Sequence, residues 1–240
     1  MTALHPGFSP AYPASSDPVP FAGAHSRSGA LDSTGSTEAE LRMLRPRNGL
    51  RRRYEITALL PDGLTETRQI TAPASDLFEA CASGFARGTL IPTPNGATAI
   101  EDLFPGDLVI TSNGVEPVTW IGSTPYLPGL SADQSTLTRL TRITADAYGP
   151  ARPSMDVLVG PAARMMVRHD ALDRLIGQSA VLAPVADYAD GDRLLEIVPG
   201  GPVQLYHLMT RRHSMIDIGG LEMETYHPGP SVANRLEAGQ

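Results

Sequence analysis

The sequence predicts an all-β domain with a curled, barrel-like fold, one or two short helices and a disordered N-terminal tail. From residue 54 onward, short apolar and β-branched runs are separated by Gly, Pro and Asn, which is typical of strands joined by tight turns. Many such strands in one chain indicate a curled or barrel-like sheet. The sequence contains no internal repeat of fixed period, so a repeat architecture is not expected.

The first 53 residues differ in composition from the rest of the chain. Residues 1–41 are rich in Pro, Ser, Gly and Ala, and a segment with so little apolar surface to bury is predicted to be disordered. Residues 42–53 contain six Arg and no acidic residue. Two interpretations of this run stay open. It is either a solvated linker, or a patch from Arg42 to Arg53 that binds an acidic partner or an anionic membrane surface.

Residues 54–83 are predicted to form a β-hairpin and a lead-in helix. Two alternating runs flank Pro61-Asp62-Gly63, a turn signal because Pro presets φ and Gly accepts positive φ. A helix is expected over residues 75–85, since Ser75 can act as its N-cap. Apolar residues at helical spacing define the buried face of this helix. They are Leu77, Phe78 and Cys81.

Short β runs fill the remainder of the domain, which is predicted to span residues 84–229 before a C-terminal tail of residues 230–240. The Asn113-Gly114 step between two of these runs is a strong hairpin signal. Residues 169–176 are predicted to form a second short helix. The predicted strands of the whole chain cover residues 53–60, 64–71, 89–93, 107–111, 115–121, 137–145, 155–159, 180–184, 194–198, 203–210 and 214–218.

Composition and charge exclude several classes of protein. Cys81 is the only cysteine, so neither an internal disulfide nor a Cys-rich zinc module can form. No run approaches the roughly 18 apolar residues that cross a bilayer, and the first 30 residues lack the pattern of a secretory signal. A net charge of −7 argues against a general nucleic-acid binder. We therefore expect no transmembrane segment, no specific nucleic-acid binding, and a cytoplasmic protein unless it is secreted without a signal.

The common catalytic and cofactor motifs are missing from the sequence. It contains no G-x-S-x-G, H-E-x-x-H, G-x-G-x-x-G, Walker loop or C-x-x-C, so no cofactor is expected. His207 and His213 share a strand face only if no turn intervenes. With no nearby Cys or Asp to complete a ligand set, no metal site is expected. Glu101, Asp102 and Asp107 cluster around a Pro-Gly turn, where they serve the backbone, and this weakens the idea of a paired-carboxylate hydrolase.

One long, ordered set of residues resembles a known family. The set comprises Gly88-Thr89-Leu90-Ile91-Pro92-Thr93 with Gly96, Ile100 to Val109 (I-E-D-L-F-P-G-D-L-V), Pro117 to Gly122 (P-V-T-W-I-G), Val159 to Met166, and Tyr206 to Gly229. It resembles bacterial Hint domains, which belong to the hedgehog/intein superfamily of autoprocessing modules. The resemblance covers about residues 84–229. It implies a curled Hint-type β fold and, in active members, self-cleavage by an acyl shift.

The resemblance also implies where the catalytic side chains of active members would lie. Their Cys nucleophile directly precedes the Phe of the opening motif and attacks the preceding carbonyl, while a Thr or Ser and a His, in a [TS]-P-x-H pattern, polarise the peptide and move the proton. In this chain Gly84 precedes Phe85, Gly160 stands at the Thr or Ser position and Ala163 at the His position. Only His213 matches a family His. No His-Asn pair exists for intein-type Asn cyclisation.

Two functions of different class follow from these replacements. The first is a catalytically silent Hint-like domain that acts as a structural or binding module, because the machinery is replaced and the upstream hairpin runs straight into the domain. The alternative is a self-processing protein that cleaves its own backbone near residue 84 by an N-to-S or N-to-O acyl shift, with Cys81 or Thr89 as the nucleophile. Cys81 fits a small buried side chain, so its predicted role is structural.

Overall fold

The computed structural model describes residues 49–130, 135–169, 172, 174 and 176–228. One α-helix with defined bounds, α1 (Asp76–Glu79), and two 3-10 helices, Ile100–Asp102 and Val185–Tyr188, connect the strands of this part of the chain. The strands are β1 (Arg51–Leu59), β2 (Thr65–Pro73), β3 (Phe85–Ala86), β4 (Leu90–Thr93), β5 (Gly96–Ala99), β6 (Leu108–Thr111), β7 (Gly114–Tyr126), β8 (Leu140–Ile143), β9 (Val157–Val159), β10 (Arg164–Arg168), β11 (Ala180–Pro184), β12 (Leu194–Ile197), β13 (Val203–Thr210), β14 (Met215–Ile218) and β15 (Leu221–Glu224).

These strands form three sheets in which every pairing is antiparallel. The largest has nine strands in the order β12-β8-β9-β3-β13-β7-β1-β2, with β6 pairing to β7 outside this order. A four-stranded sheet has the order β11-β10-β15-β14, and β4 and β5 form a two-stranded sheet. The predicted all-β class is therefore confirmed. The described strands leave the largest sheet open at β12 and β2 and do not close it into a barrel.

The predicted hairpin forms, and it belongs to the largest sheet. β1 pairs with β2 over nine residues and with β7 through Glu55–Ala58. Gly63 adopts a φ of 84° in the connecting turn, the left-handed conformation that favours Gly there. The hairpin is therefore an integral edge of the fold, since its first strand lies between β7 and β2.

The last residues of the predicted linker over residues 42–53 belong to a strand. β1 begins at Arg51, so the last three Arg of the run are strand residues. Arg52 is only 5% exposed, because its guanidinium donates to the buried carboxylate of Glu79 at 2.8 Å. Arg52 therefore cannot belong to a solvated linker or to an exposed Arg patch. Residues 1–48, including the predicted tail and the first half of the patch, lie outside the described residues.

The lead-in helix is shorter than predicted. It covers Asp76–Glu79, and Phe85 already belongs to β3. The backbone around Gly84 is extended into the sheet because its N–H donates to the Tyr206 carbonyl of β13, a partner that local helical spacing cannot reveal. Of the predicted second helix over residues 169–176, the described residues Leu172, Arg174 and Ile176 are helical.

The other predicted strands are present, and four further strands, β3, β5, β10 and β15, were not predicted. β5 (sequence GATA) has weak strand propensity and forms because it folds back on β4. β10 (sequence RMMVR) lacks a clear alternation, and it pairs with β15 at Met165 and Met223. β15 (sequence LEME) does alternate apolar and acidic residues, but over only four residues. Tertiary pairing therefore outweighs local propensity in β5 and β10.

The core consists of one large cluster and two smaller ones. The large cluster includes Phe85, Val159, Ala163 and Leu208. Tyr126 and Leu205 belong to the second cluster. The third joins Tyr54 and Ala72 of the hairpin to Ala82, with Phe78 and Cys81 packed against it. The segment from Ala82 to Phe85 therefore runs directly from the core of the hairpin into the core of the main domain.

Candidate functional site

The Ser83–Gly84 peptide bond lies where the resemblance predicts the reacting bond, and neighbouring strands hold it in place. The Ser83 carbonyl accepts a hydrogen bond from the Ala162 N–H at 3.2 Å. The Gly84 N–H donates to the Tyr206 carbonyl at 3.0 Å, and the Gly84 carbonyl accepts from the Gly160 N–H at 2.9 Å. Ser83 and Gly84 are both buried. The structure thus brings Gly84 together with the segment 160–163, which the sequence places 76 residues or more downstream.

Gly160 leaves no room for a side chain at this site. A Cβ built on Gly160 would lie 2.2 Å from the Ser83 carbonyl oxygen, far inside van der Waals contact. That oxygen occupies the place where a Thr or Ser side chain would begin. Ala163 is buried in the large core cluster and carries only a methyl group. The arrangement therefore contains no hydroxyl and no imidazole at the two positions of the [TS]-P-x-H pattern.

Gly84 is equally restricted, and the group that restricts it is His207. A Cβ on Gly84 would lie 2.8 Å from the imidazole Cδ2 of His207. This ring is only 2% exposed, and its centroid lies 5.4 Å from the ring of Phe85 in an edge-on arrangement and 5.5 Å from the ring of Tyr226. Its Nδ1 accepts the Leu208 N–H at 3.2 Å.

Burial lowers the pKa of His207 to about 3, and a hydrogen bond to the Ala162 backbone offsets only part of this effect. The ring is therefore neutral over the physiological range of pH. The sequence interpretation did not assign His207 to the site. The available signal was strand alternation, because His207 lies two residues after the buried Leu205 on β13 and so shares its face.

Aromatic residues complete the wall around this peptide. Trp120 lies beside Tyr226, with ring centroids 5.4 Å apart. Gly122 follows Trp120 by two residues, and a Cβ there would meet the Trp120 ring at 2.3 Å and the Cys81 carbonyl at 2.6 Å. The indole and the backbone of the lead-in segment therefore both pack against Gly122, which is buried.

His213, the residue that matches a family His, lies in a different environment. Its Nε2 is 2.6 Å from a carboxylate oxygen of Glu224, and its ring centroid is 4.9 Å from that of His227. Its side chain is 37% exposed. The imidazole that lies against the Gly84 position is that of His207.

The two nucleophiles considered for self-processing are both engaged within their own turns. The Cys81 Sγ donates to the Phe78 carbonyl at 3.1 Å, and burial raises the pKa of this thiol to about 11. The Thr89 Oγ1 donates to the Ala86 carbonyl at 2.7 Å. Ser83 is similar, since its Oγ donates to the Glu79 carbonyl at 2.7 Å. Each of these three groups therefore donates to a backbone carbonyl and not to a side-chain base.

The carboxylates near the Pro105-Gly106 turn bind the backbone. Glu101 accepts hydrogen bonds from the Gly88 N–H at 2.7 Å and from the Arg87 side chain at 3.3 Å. Asp107 accepts from the Phe104 N–H at 2.8 Å. These contacts fix loops. Across the described part of the chain, no three His, Cys, Asp or Glu side chains form a group that could hold a metal ion.

A buried ion pair fixes the segment that precedes the site. The Glu79 carboxylate is fully buried and accepts hydrogen bonds from Arg52, from the Ser135 hydroxyl at 2.6 Å and from the Thr136 hydroxyl at 2.9 Å. Burial alone would raise the pKa of Glu79, but the hydrogen bonds from Ser135, Thr136 and Arg52 outweigh it and lower the pKa. The chain on the upstream side of Ser83 is therefore tied to β1 and to the segment before β8.

The described helices include none that is both long and apolar enough to cross a membrane. A comparison with family models matches the Hint domain over residues 83–230. Among solved structures, the chain is similar to the solution structure of a bacterial intein-like domain from Clostridium thermocellum, with 15% sequence identity and a TM-score of 0.42, over 60% of this chain and 99% of that chain. The comparison with curated proteins found no match. Because the family match spans more than half of the sequence, this chain belongs to the Hint domain family.

Proposed function

We propose that this chain is a degenerate Hint domain of the bacterial type that performs no self-cleavage and acts as a structural or binding module. The observation that carries the proposal is the Ser83–Gly84 peptide, whose carbonyl oxygen fills the space of a side chain at Gly160. An acyl shift at this bond needs a nucleophile on residue 84 and a group to move its proton. Glycine supplies no nucleophile, and Ala163 supplies no base.

The neutral imidazole of His207 lies against the Gly84 position. Its Nδ1 accepts the Leu208 N–H, and the Ala162 backbone lies beside the ring as a second polar neighbour. The ring therefore acts as packing for the peptide. Burial of Ser83, Gly84 and His207 also keeps water from the carbonyl, which disfavours hydrolysis.

The upstream hairpin supports the same conclusion from a different direction. In a self-processing protein the segment before the cleaved bond has to be released, whereas here β1 is an interior strand of the largest sheet. The Arg52–Glu79 ion pair and the packing of Tyr54 against Ala82 add further contacts across the bond. A domain that contains its own upstream segment serves as one folded unit.

One observation favours the alternative, self-processing near residue 84. The Ala162 N–H still donates to the Ser83 carbonyl, and a donor at that oxygen would stabilise the negative charge of a tetrahedral intermediate. Under this alternative, Cys81 or Thr89 attacks a neighbouring carbonyl after leaving its present hydrogen bond. The raised pKa of Cys81 opposes this step because the thiolate is the reactive form.

Mass spectrometry of the intact, denatured protein tests the proposal. After purification and prolonged incubation, with and without a thiol or hydroxylamine, we expect a single species at the full-length mass of 25.5 kDa. A fragment that ends near residue 83 would overturn the proposal. Cys81→Ala and Thr89→Ala then serve as a matched pair, because loss of the fragment in one variant and not in the other identifies the nucleophile and establishes self-processing.

A further inference from the structure

The largest sheet ends in a strand whose outer edge has no partner strand within the described residues. β2 is the terminal strand of that sheet, and within the described residues it pairs with β1 alone. It is nine residues long, and all but two of them are exposed. A long exposed edge of this kind offers a row of free backbone N–H and C=O groups to another strand.

The hydrogen-bond register shows which residues of β2 point their backbone groups outward. The hairpin closes with the Leu60 N–H donating to the Leu64 carbonyl, and the Ala74 N–H donates to the Leu50 carbonyl at the other end. Antiparallel pairs alternate between hydrogen-bonded and non-hydrogen-bonded positions. Even-numbered residues of β2 therefore bond to β1, and Thr65, Thr67, Gln69 and Thr71 direct their N–H and C=O groups away from it.

The side chains of the even-numbered residues form a row on one face. The guanidinium of Arg68 and the carboxylate of Glu66 are 2.7 Å apart, which places both on the same side of the strand. Leu64 and Ile70, at the ends of this row, are 65% and 37% exposed. The order along the strand is thus apolar, acidic, basic, apolar.

We propose that β2 pairs antiparallel with β2 of a second copy of this chain, across a two-fold axis at Thr67. This is the register in which Thr67 lies opposite its own counterpart and Thr65 lies opposite Gln69. Both pairs use the outward backbone groups, so the two edges exchange about six hydrogen bonds. The same register places Glu66 opposite Arg68 and Leu64 opposite Ile70, each twice because of the symmetry.

Complementary charges favour a second copy of this chain as the partner of β2 and favour this register. The charged and apolar contacts fall at non-hydrogen-bonded positions, where opposing side chains are closest. Moving the axis to Gln69 places Arg68 opposite Ile70 and Glu66 opposite Ala72. Moving it to Thr65 places Glu66 opposite Leu64, and Arg68 then faces Asp62, which lies in the hairpin turn beyond the strand and already accepts the Leu64 N–H. Thr71 lies at the end of the ladder, since its carbonyl already accepts a hydrogen bond from Arg51.

The test is a charge exchange on the full chain, with mass measured by sedimentation or light scattering. For the wild-type protein, the fraction of dimer is expected to rise as the protein concentration is increased to about 100 µM. Glu66→Arg and Arg68→Glu each create two like-charge contacts, and each is expected to weaken self-association by roughly 30-fold. A mixture of the two variants is expected to form a heterodimer, because each strand then meets the opposite charge at both positions.

A backbone variant separates edge pairing from other contacts. Thr67→Pro removes an N–H that points away from β1, a position at which an edge strand tolerates Pro, and it is expected to abolish the dimer. Thr67→Ala keeps the N–H and is expected to retain it. Far-UV circular dichroism and the thermal midpoint show whether each variant is folded. If Thr67→Pro does not fold, the charge-exchange variants alone test the proposal.

A wild type that stays monomeric would overturn the proposal. So would a dimer that persists in Glu66→Arg, or single variants that do not recover association when mixed.

Discussion

Lowering the pH from 7.5 to 5 is predicted to destabilise the folded chain through His207. Its imidazole is buried among Gly84, Phe85 and Tyr226, and burial lowers its pKa from the ordinary 6.5 to about 3. The folded state therefore binds fewer protons than the unfolded state throughout this range. Because stability falls wherever the unfolded state binds more protons as pH decreases, the free energy of unfolding drops below about pH 6.5.

The size of the effect follows from the difference between the two pKa values. Within the window each pH unit costs up to about 1.4 kcal/mol, and the onset near the unfolded pKa reduces the total between pH 7.5 and pH 5 to about 2 kcal/mol. Below pH 5 carboxylates contribute a loss of the same sign. For Glu116, burial would raise the pKa, but hydrogen bonds from Ser214, Arg212 and Thr111 lower it to about 2. Above pH 5 each of these carboxylates contributes less than His207, and a variant at His207 identifies the share of the histidine.

The assay is urea unfolding at pH 7.5 and pH 5 for wild type and for His207→Gln. The Gln amide keeps a donor for the backbone of Ala162 and cannot take up a proton, so the variant is expected to lose little stability between the two pH values. Leu205→Ala is the matched control, because it removes a buried side chain from the same face of β13 without changing any titrating group. It is expected to lower stability at both pH values and to keep the difference of about 2 kcal/mol. The reasoning is refuted if His207→Gln shows the wild-type pH dependence.

Two further predictions concern the packing around Ser83. Gly160→Ala is expected to destabilise the fold by about 2 kcal/mol or more, because the new Cβ meets the Ser83 carbonyl, whereas Gly200→Ala, with no atom near its Cβ position, is expected to change the urea midpoint little. Equal effects of the two substitutions would contradict the clash. Arg52→Met is expected to cost about 3 kcal/mol by leaving the buried Glu79 carboxylate without its cation, while the double variant Arg52→Met with Glu79→Gln is expected to recover part of that loss in thermal unfolding.

Local signals in the sequence predict the hairpins well, because their turns depend on single residues. Gly63 and Gly114 both adopt positive φ, the conformation that the Pro-Asp-Gly and Asn-Gly signals require. The lead-in helix is predicted too long because its end depends on a distant residue and not on a local signal. Gly84 leaves helical geometry, since its N–H donates to the Tyr206 carbonyl of another strand. A run of Arg residues predicts a solvated segment when the sequence shows no nearby acidic partner. The partner of Arg52 is Glu79, which is 27 residues away.

The residues of the candidate site could also be predicted from the sequence, whereas the contacts that explain them could not. The family pattern singled out Gly84, Gly160 and Ala163 from sequence, and the structure places the first two in direct hydrogen-bonded contact. The steric reason for both glycines could not be read from the sequence. It depends on the Ser83 carbonyl and on the ring of His207, which lie against them only in the folded chain.

Because β1 pairs with β7, a break at the Ser83–Gly84 bond would not separate the two pieces of the chain. The two pieces would stay joined by the strand ladder over Glu55–Ala58, by the Arg52–Glu79 contacts to the segment before β8, and by the bond from Thr124 to the Arg53 carbonyl. A nicked molecule would keep its native size and most of its spectroscopic signal. A break at this bond is therefore visible only after denaturation, because the non-covalent contacts of the fold hold the two pieces together.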